Sequence, residues 1–97
     1  MDNRVKGLLG LSRRAGMLVP GTDKAVKAVQ GGKAALLLLD GEASANTRKL
    51  AQDKCLFHRV KLVELEGGEL DAAIGSNGVM VAAVLKGTLA DRILEMV

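Results

Sequence analysis

Four consecutive leucines, Leu36 to Leu39, stand between the glycine pair Gly31-Gly32 and the polar residue Asp40. The run is too short for a confident helix and too apolar for a strand with one wet face. It reads as an interior strand buried on both faces. Such a strand needs a covering layer on each side, and the rest of the chain has to provide both.

The flanking segments supply helices. Residues 3–14 predict a helix with Val5, Leu8, Leu9 and Ser12 on one face and Arg4, Lys6, Arg13 and Arg14 mostly off it. Ala15-Gly16 ends it, Met17 to Val19 forms a short strand, and Pro20-Gly21-Thr22 turns the chain. Residues 22–30 predict a second helix with Ala25, Val26 and Val29 facing inward, stopped by Gly31-Gly32. After a loop from Asp40 to Ala43, Ser44 caps a third helix that runs to about Cys55 or Phe57. Lys61 to Leu65 is a strand, Leu70 to Ile74 a short helix, Gly75 to Gly78 a tight turn and Val79 to Leu85 another strand. Thr88 then caps a last helix, with Asp91 as a shortened capping box and Leu89, Ile93 and Met96 as its inner stripe. Helices alternate with strands throughout. The pattern predicts one α/β domain over residues 1–97 with a largely parallel sheet covered on both sides.

Charge is unevenly placed. The net charge is +3, but residues 1–35 carry seven basic side chains against Asp2 and Asp23, a net of +5, and residues 36–97 carry −2. A basic N-terminal third points to an anionic partner, most simply nucleic acid, or else to a solvated face. Phe57 is the sole aromatic residue, so there is no platform for stacking single-stranded bases. A nucleic-acid partner would instead be structured RNA, held through phosphates, backbone amides and polar base contacts. Cys55 is the lone cysteine, which rules out an intrachain disulfide and deprives zinc of its usual thiolates. No apolar run approaches the roughly 18 residues of a membrane span. Arg13 and Arg14 interrupt the N-terminal apolar stretch, making it a poor signal peptide. Cytoplasmic residence is the expectation, without a membrane partner.

Four constellations are candidates. The start of the second helix, Gly21-Thr22-Asp23-Lys24 with Lys27, combines free backbone N–H groups, a positive dipole end and two lysines, an arrangement that makes sense if a phosphate sits there. The plainer reading is an ordinary cap at Thr22 with solvated lysines. Gly31-Gly32-Lys33 resembles a phosphate loop only superficially, because the glycines follow a helix and precede a strand. Cys55 and His58 are too few for a metal site, so Cys55 is expected in the core and His58 at the surface. Glu64, Glu66, Glu69 and Asp71 form an acidic cluster better read as a solvated face than as a cation site. No acid, base and nucleophile set is present, so neither an enzyme nor a cofactor is expected.

The ordered set of words in the sequence resembles the kink-turn-binding ribosomal protein family L-seven-Ae, most of all its small bacterial YlxQ-type members. The likeness runs through "GTDKAVKAVQGGKAALLLLD", "DGEASANTRKLAQDKC", "ELDAAIG" and "SNGVMVAAVL" and covers nearly the whole chain. It implies a three-layer α-β-α sandwich with a four-stranded mixed sheet. It also implies that the helix start and the loop before the last strand grip a kinked RNA duplex. By this resemblance Gly21 and Thr22 match the backbone-approach positions, Lys27 the family lysine, and Gly78 and Val79 the second contact loop. Asp23 stands where asparagine is usual and Lys24 where glutamate is usual. Lys24 can donate to guanine O6 or N7, and Asp23 can accept from a guanine amino group, so the two roles can be exchanged. The first functional reading is therefore non-enzymatic binding of structured RNA, ribosomal or regulatory. The second is a protein–protein adaptor of the same fold in which Asp23 and Lys24 mark the loss of kink-turn recognition.

Overall fold

The computed structural model describes all residues from 1 to 97. Nine elements follow in order: α1 Asn3–Arg14, β1 Leu18–Pro20, α2 Thr22–Gln30, β2 Ala34–Asp40, α3 Ala45–His58, β3 Lys61–Leu65, α4 Glu69–Ile74, β4 Val81–Leu85 and α5 Thr88–Leu94. The four strands form one mixed sheet in the order β1-β4-β2-β3. Helices cover both faces, giving three layers.

β2 is the interior strand that its leucines predict. Leu36, Leu37, Leu38 and Leu39 are all essentially inaccessible to solvent. Leu36 and Leu38 join Val5, Leu9, Leu70 and Ile93 beneath α1, α4 and α5. Leu37 and Leu39 join Ala25, Val29, Ala51 and Cys55 beneath α2 and α3. Alternate side chains thus serve opposite layers, as a pleated strand dictates.

The sheet is not largely parallel. Only β2 and β3 run parallel, with Leu36 beside Lys61 and Asp40 beside Leu65. β4 is antiparallel to both β1 and β2. The connections decide direction. β3 finishes at Leu65, beside Asp40, and β4 begins at Val81, opposite Leu39, so the segment containing α4 returns the chain to the end of the sheet where β3 finished. By contrast, the segment containing α2 delivers the chain to the other end, and β2 runs in the same direction as β1.

Several boundaries differ from expectation. β1 begins at Leu18 rather than Met17 and includes Pro20, which is tolerated because β1 lies at the sheet edge. β4 begins at Val81, leaving Val79 and Met80 in the approach loop. Ser44 caps α3 as expected, its Oγ accepting from the Thr47 N–H. Thr88 does not cap α5. Gly87 holds that position with no side-chain cap bond, and Thr88 is the first helical residue. Met96 lies beyond the helix end and is exposed, so the inner face of α5 is Ala90 and Ile93, with Leu89 half-buried.

Candidate nucleic-acid interface

α2 is fixed by packing. Ala25, Val26, Ala28 and Val29 are buried, and the helix lies against β2, β4 and α3. Its start is fixed by the sheet as well. The Gly21 N–H donates to the Val81 carbonyl at 2.9 Å, extending the β1–β4 pairing by one residue into the N-cap. Gly21 then takes φ 106°, ψ 136°, a conformation that residues with a Cβ rarely adopt. A Cβ at Gly21 would meet nothing within 4 Å, so torsion requires the glycine and the space above it is open.

Thr22 is not the cap. It is the first residue of α2, and no side chain caps this helix. α1 and α3, by contrast, have Asp2 and Ser44 accepting from their first-turn amides. The Gly21 carbonyl accepts from Ala25 at 2.9 Å, which leaves the N–H groups of Thr22, Asp23 and Lys24 pointing out of the helix end without a capping partner. Thr22 is half-buried, and Asp23, Lys24 and Lys27 are exposed. None of these charged groups belongs to an ion pair. Down the same flank, Lys24, Lys27 and Lys33 rim a groove of about 380 Å³ floored by Val19 and Leu85. The Lys33 seen in sequence as a helix-stop neighbour is therefore the third cation of this flank.

The loop between α4 and β4 meets α2 at the same end of the sheet, because Val81 follows it directly and accepts from Gly21. Its backbone is pinned from inside. The two carboxylate oxygens of Asp71 accept from the N–H groups of Gly78 at 2.8 Å and Val79 at 3.0 Å. The Asp71 carbonyl accepts from Ser76. Arg13 on α1 donates to Ser76 Oγ at 2.7 Å. Gly75 and Gly78 sit at φ 69° and 84°, which lets the loop turn. The amides of Gly78 and Val79 are consequently spoken for. Gly78 is exposed and Val79 is half-buried.

Asp40, read from sequence as the start of a loop, is the last residue of β2 and fully buried. Its carboxylate accepts from Glu42 N–H at 2.8 Å and Gly68 N–H at 3.0 Å, while its own N–H donates to the Met80 carbonyl. It thereby ties together the three loops at this end of the sheet. The acidic cluster is correspondingly dispersed. Asp71 supports the α4–β4 loop, Glu64 pairs with Arg48, and Glu69 binds the Met1 ammonium at 2.6 Å. That ammonium, together with the Glu66 N–H, holds the Glu69 carboxyl below its ordinary range. No group of three or more His, Cys, Asp or Glu side chains is placed to hold a metal ion.

Cys55 is buried, and burial pushes its thiol from an ordinary 9.0 to about 11. His58 is half-buried at the end of α3, edge-on to Phe57 with ring centroids 4.9 Å apart. The Asp71 and Asp40 supports escaped the sequence reading, because an acid that accepts from distant backbone amides has no local pattern. The one available signal was a lone Asp seven and eight residues before Gly78-Val79, across a glycine turn. No helix is long and apolar enough to cross a membrane.

No protein-family model matches the chain. It is 34% identical over 90 residues to the RNA-binding protein YlxQ of Bacillus subtilis (strain 168), spanning 92% of this chain and 90% of that protein. Among solved structures, a protein of unknown function from Bacillus halodurans C superposes with a TM-score of 0.89 and 29% identity, covering 98% of this chain and 97% of that one. The Giardia lamblia 15.5kD RNA binding protein shares the fold, with a TM-score of 0.78 at 20% identity over 98% of this chain and 85% of that one. The chain belongs to the YlxQ family.

Proposed function

We propose that this protein is a non-enzymatic RNA-binding domain that acts in the cytoplasm on a kinked, structured RNA, with the ribosome as its setting. The observation that carries the reading is the α2 start: three uncapped amides, an open space above Gly21, and Lys24 and Lys27 without carboxylate partners. Lys24, in the first turn, opposes the helix dipole by about 0.3–1 kcal/mol, while Lys27 lies in the last turn. An anion bound at the same place reverses that sign. Family membership supports the reading, since the Bacillus subtilis relative is named an RNA-binding protein.

In this proposal the amides of Thr22 and Asp23 and the Lys27 ammonium meet phosphate oxygens. Gly21 leaves room for the RNA backbone. Lys24 donates to a guanine edge, and Asp23 accepts from a base amino group. Gly78 and Val79 contribute carbonyls and an apolar contact, because Asp71 already takes their amides.

The test is a titration of one kink-turn RNA and one straight duplex at two salt concentrations. Lys27→Ala should weaken both RNAs and lower the salt slope by about one. Lys24→Ala should cost about 1–3 kcal/mol on the kinked RNA only. If the unaltered protein binds neither RNA above background, and Asp23→Asn with Lys24→Glu restores neither, RNA recognition at this helix is excluded. The second reading, a protein–protein adaptor, would then take its place, with the exchanged charges at Asp23 and Lys24 as its supporting observation.

A further inference from the structure

The other end of the same helical layer carries a different surface. Where α3 finishes, Leu56 and Phe57 are 81% and 80% exposed. Beside them lies a groove of about 480 Å³ lined by Gln52, Cys55, Leu56, Arg59, Val60 and Leu62. The groove borders β3, which forms one edge of the sheet and has no partner on its outer side. An unpaired strand edge is a template for another strand. The opposite edge, β1, is a weaker template, being three residues long and ending in Pro20. Arg59 is the one cation of the groove. No carboxylate lines the groove, Arg59 has no ion-pair partner, and nearby Glu64 is already taken by Arg48. Arg59 is also the only non-glycine residue with positive φ, 57°, at the C-cap where glycine is the usual choice. The surface sits away from the α2 start: β3 begins beside Leu36, whereas Gly21 bonds to Val81, which lies opposite Leu39.

We propose that β3 and this groove receive an extended segment of another protein, added as a strand to the sheet, with one apolar side chain in the groove and a carboxylate beside Arg59. Side chains two apart on a strand point to the same face about 7 Å apart, so one segment can place both. A second copy of this chain fits less well, since a symmetric pair would bring each Arg59 to a groove that also lacks a carboxylate. RNA fits less well, since four of the six lining residues are apolar and Arg59 is the only cation among them.

The proposal is tested by NMR titration of the ¹⁵N-labelled protein with three short synthetic peptides in a Val/Thr strand-forming background. The first carries Leu and Asp two residues apart. The second replaces that Asp with Lys, and the third places Pro between the pair. The first should shift the amides of β3 and of residues 55–60 saturably, and the other two should not. Arg59→Gly suits the left-handed cap and keeps the fold. It and Leu56→Asp should each weaken the first peptide by about tenfold or more, leaving the kink-turn RNA titration unchanged. The idea is overturned if none of the peptides moves these amides at millimolar concentration, or if the Lys peptide binds as well as the Asp peptide. It is equally overturned if the same amides respond to RNA, or if they respond to protein concentration alone in a way that Leu56→Asp abolishes.

Discussion

α2 and α3 lie side by side on one face of the sheet, and both begin at the end of β2 where Asp40 stands. They are held in opposite ways. α2 buries four of its nine residues and has no side-chain cap. α3 buries only Ala51 and Cys55 of fourteen, and relies on Ser44 at its start and an Arg59 cap at its end. Packing fastens α2 so firmly that its terminus can be left polar and open. Caps and a narrow contact fasten α3, so its far end can leave large apolar side chains in water. In both helices the surface left unsatisfied is the surface available to a partner.

The contrast can be broken most severely from below. Leu39→Ala removes a fully buried side chain from the cluster that seats both helices, and should cost about 2–5 kcal/mol in denaturant unfolding. A loss below about 0.5 kcal/mol would mean that β2 is not the floor of this layer. On the helices themselves, Val29→Ala should cost about 2 kcal/mol, because Val29 is fully buried under α2. Phe57→Ser should stay within about 0.5 kcal/mol, since the ring is exposed. Equal losses at the two positions would erase the distinction.

The caps give a smaller effect. Ser44→Ala should destabilise by about 1 kcal/mol through loss of the bond to Thr47 N–H. Thr22→Ala should leave stability within about 0.5 kcal/mol, because Thr22 makes no cap bond.

These contrasts also show which parts of the molecule were legible in the sequence. The leucines of β2 announce an interior strand, because burial on both faces leaves no polar alternation. Val26 and Val29 announce the inner face of α2, and Ser44 announces a cap, because those signals lie within a turn or two of the residues they govern. Strand direction was misjudged because it depends on the end of the sheet to which each connection delivers the chain, which alternation alone does not encode. Thr88 was misplaced as a cap because Gly87 before it takes a φ open to glycine and becomes the cap instead, as Gly21 does before Thr22. Asp71 acts through amides seven and eight residues away, and Asp40, besides its local bond to Glu42, through one twenty-eight residues away; no local pattern marks the distant bonds.

The smallest effect concerns Cys55. Its thiol is raised in the folded state, so the stability linked to it is complete below pH 9.0 and is lost as pH rises toward about 11, where the folded thiol ionises too. Thiol reagents at neutral pH should label it slowly in the native protein and quickly in denaturant. Fast native labelling would mean that the α3 contact with the sheet opens far more readily than its caps imply.

The most direct test of the account is a map of backbone amide shifts in the ¹⁵N-labelled protein as kink-turn RNA is added. The largest shifts should fall on Thr22, Asp23 and Lys24, whose N–H groups have no capping partner. Smaller shifts should appear at Gly78 and Val79, whose amides stay bonded to Asp71, and Leu56 to Arg59 should not move. Shifts concentrated at the end of α3, with Thr22 to Lys24 unmoved at saturation, would contradict the claim that the uncapped start of α2 is the surface that meets RNA.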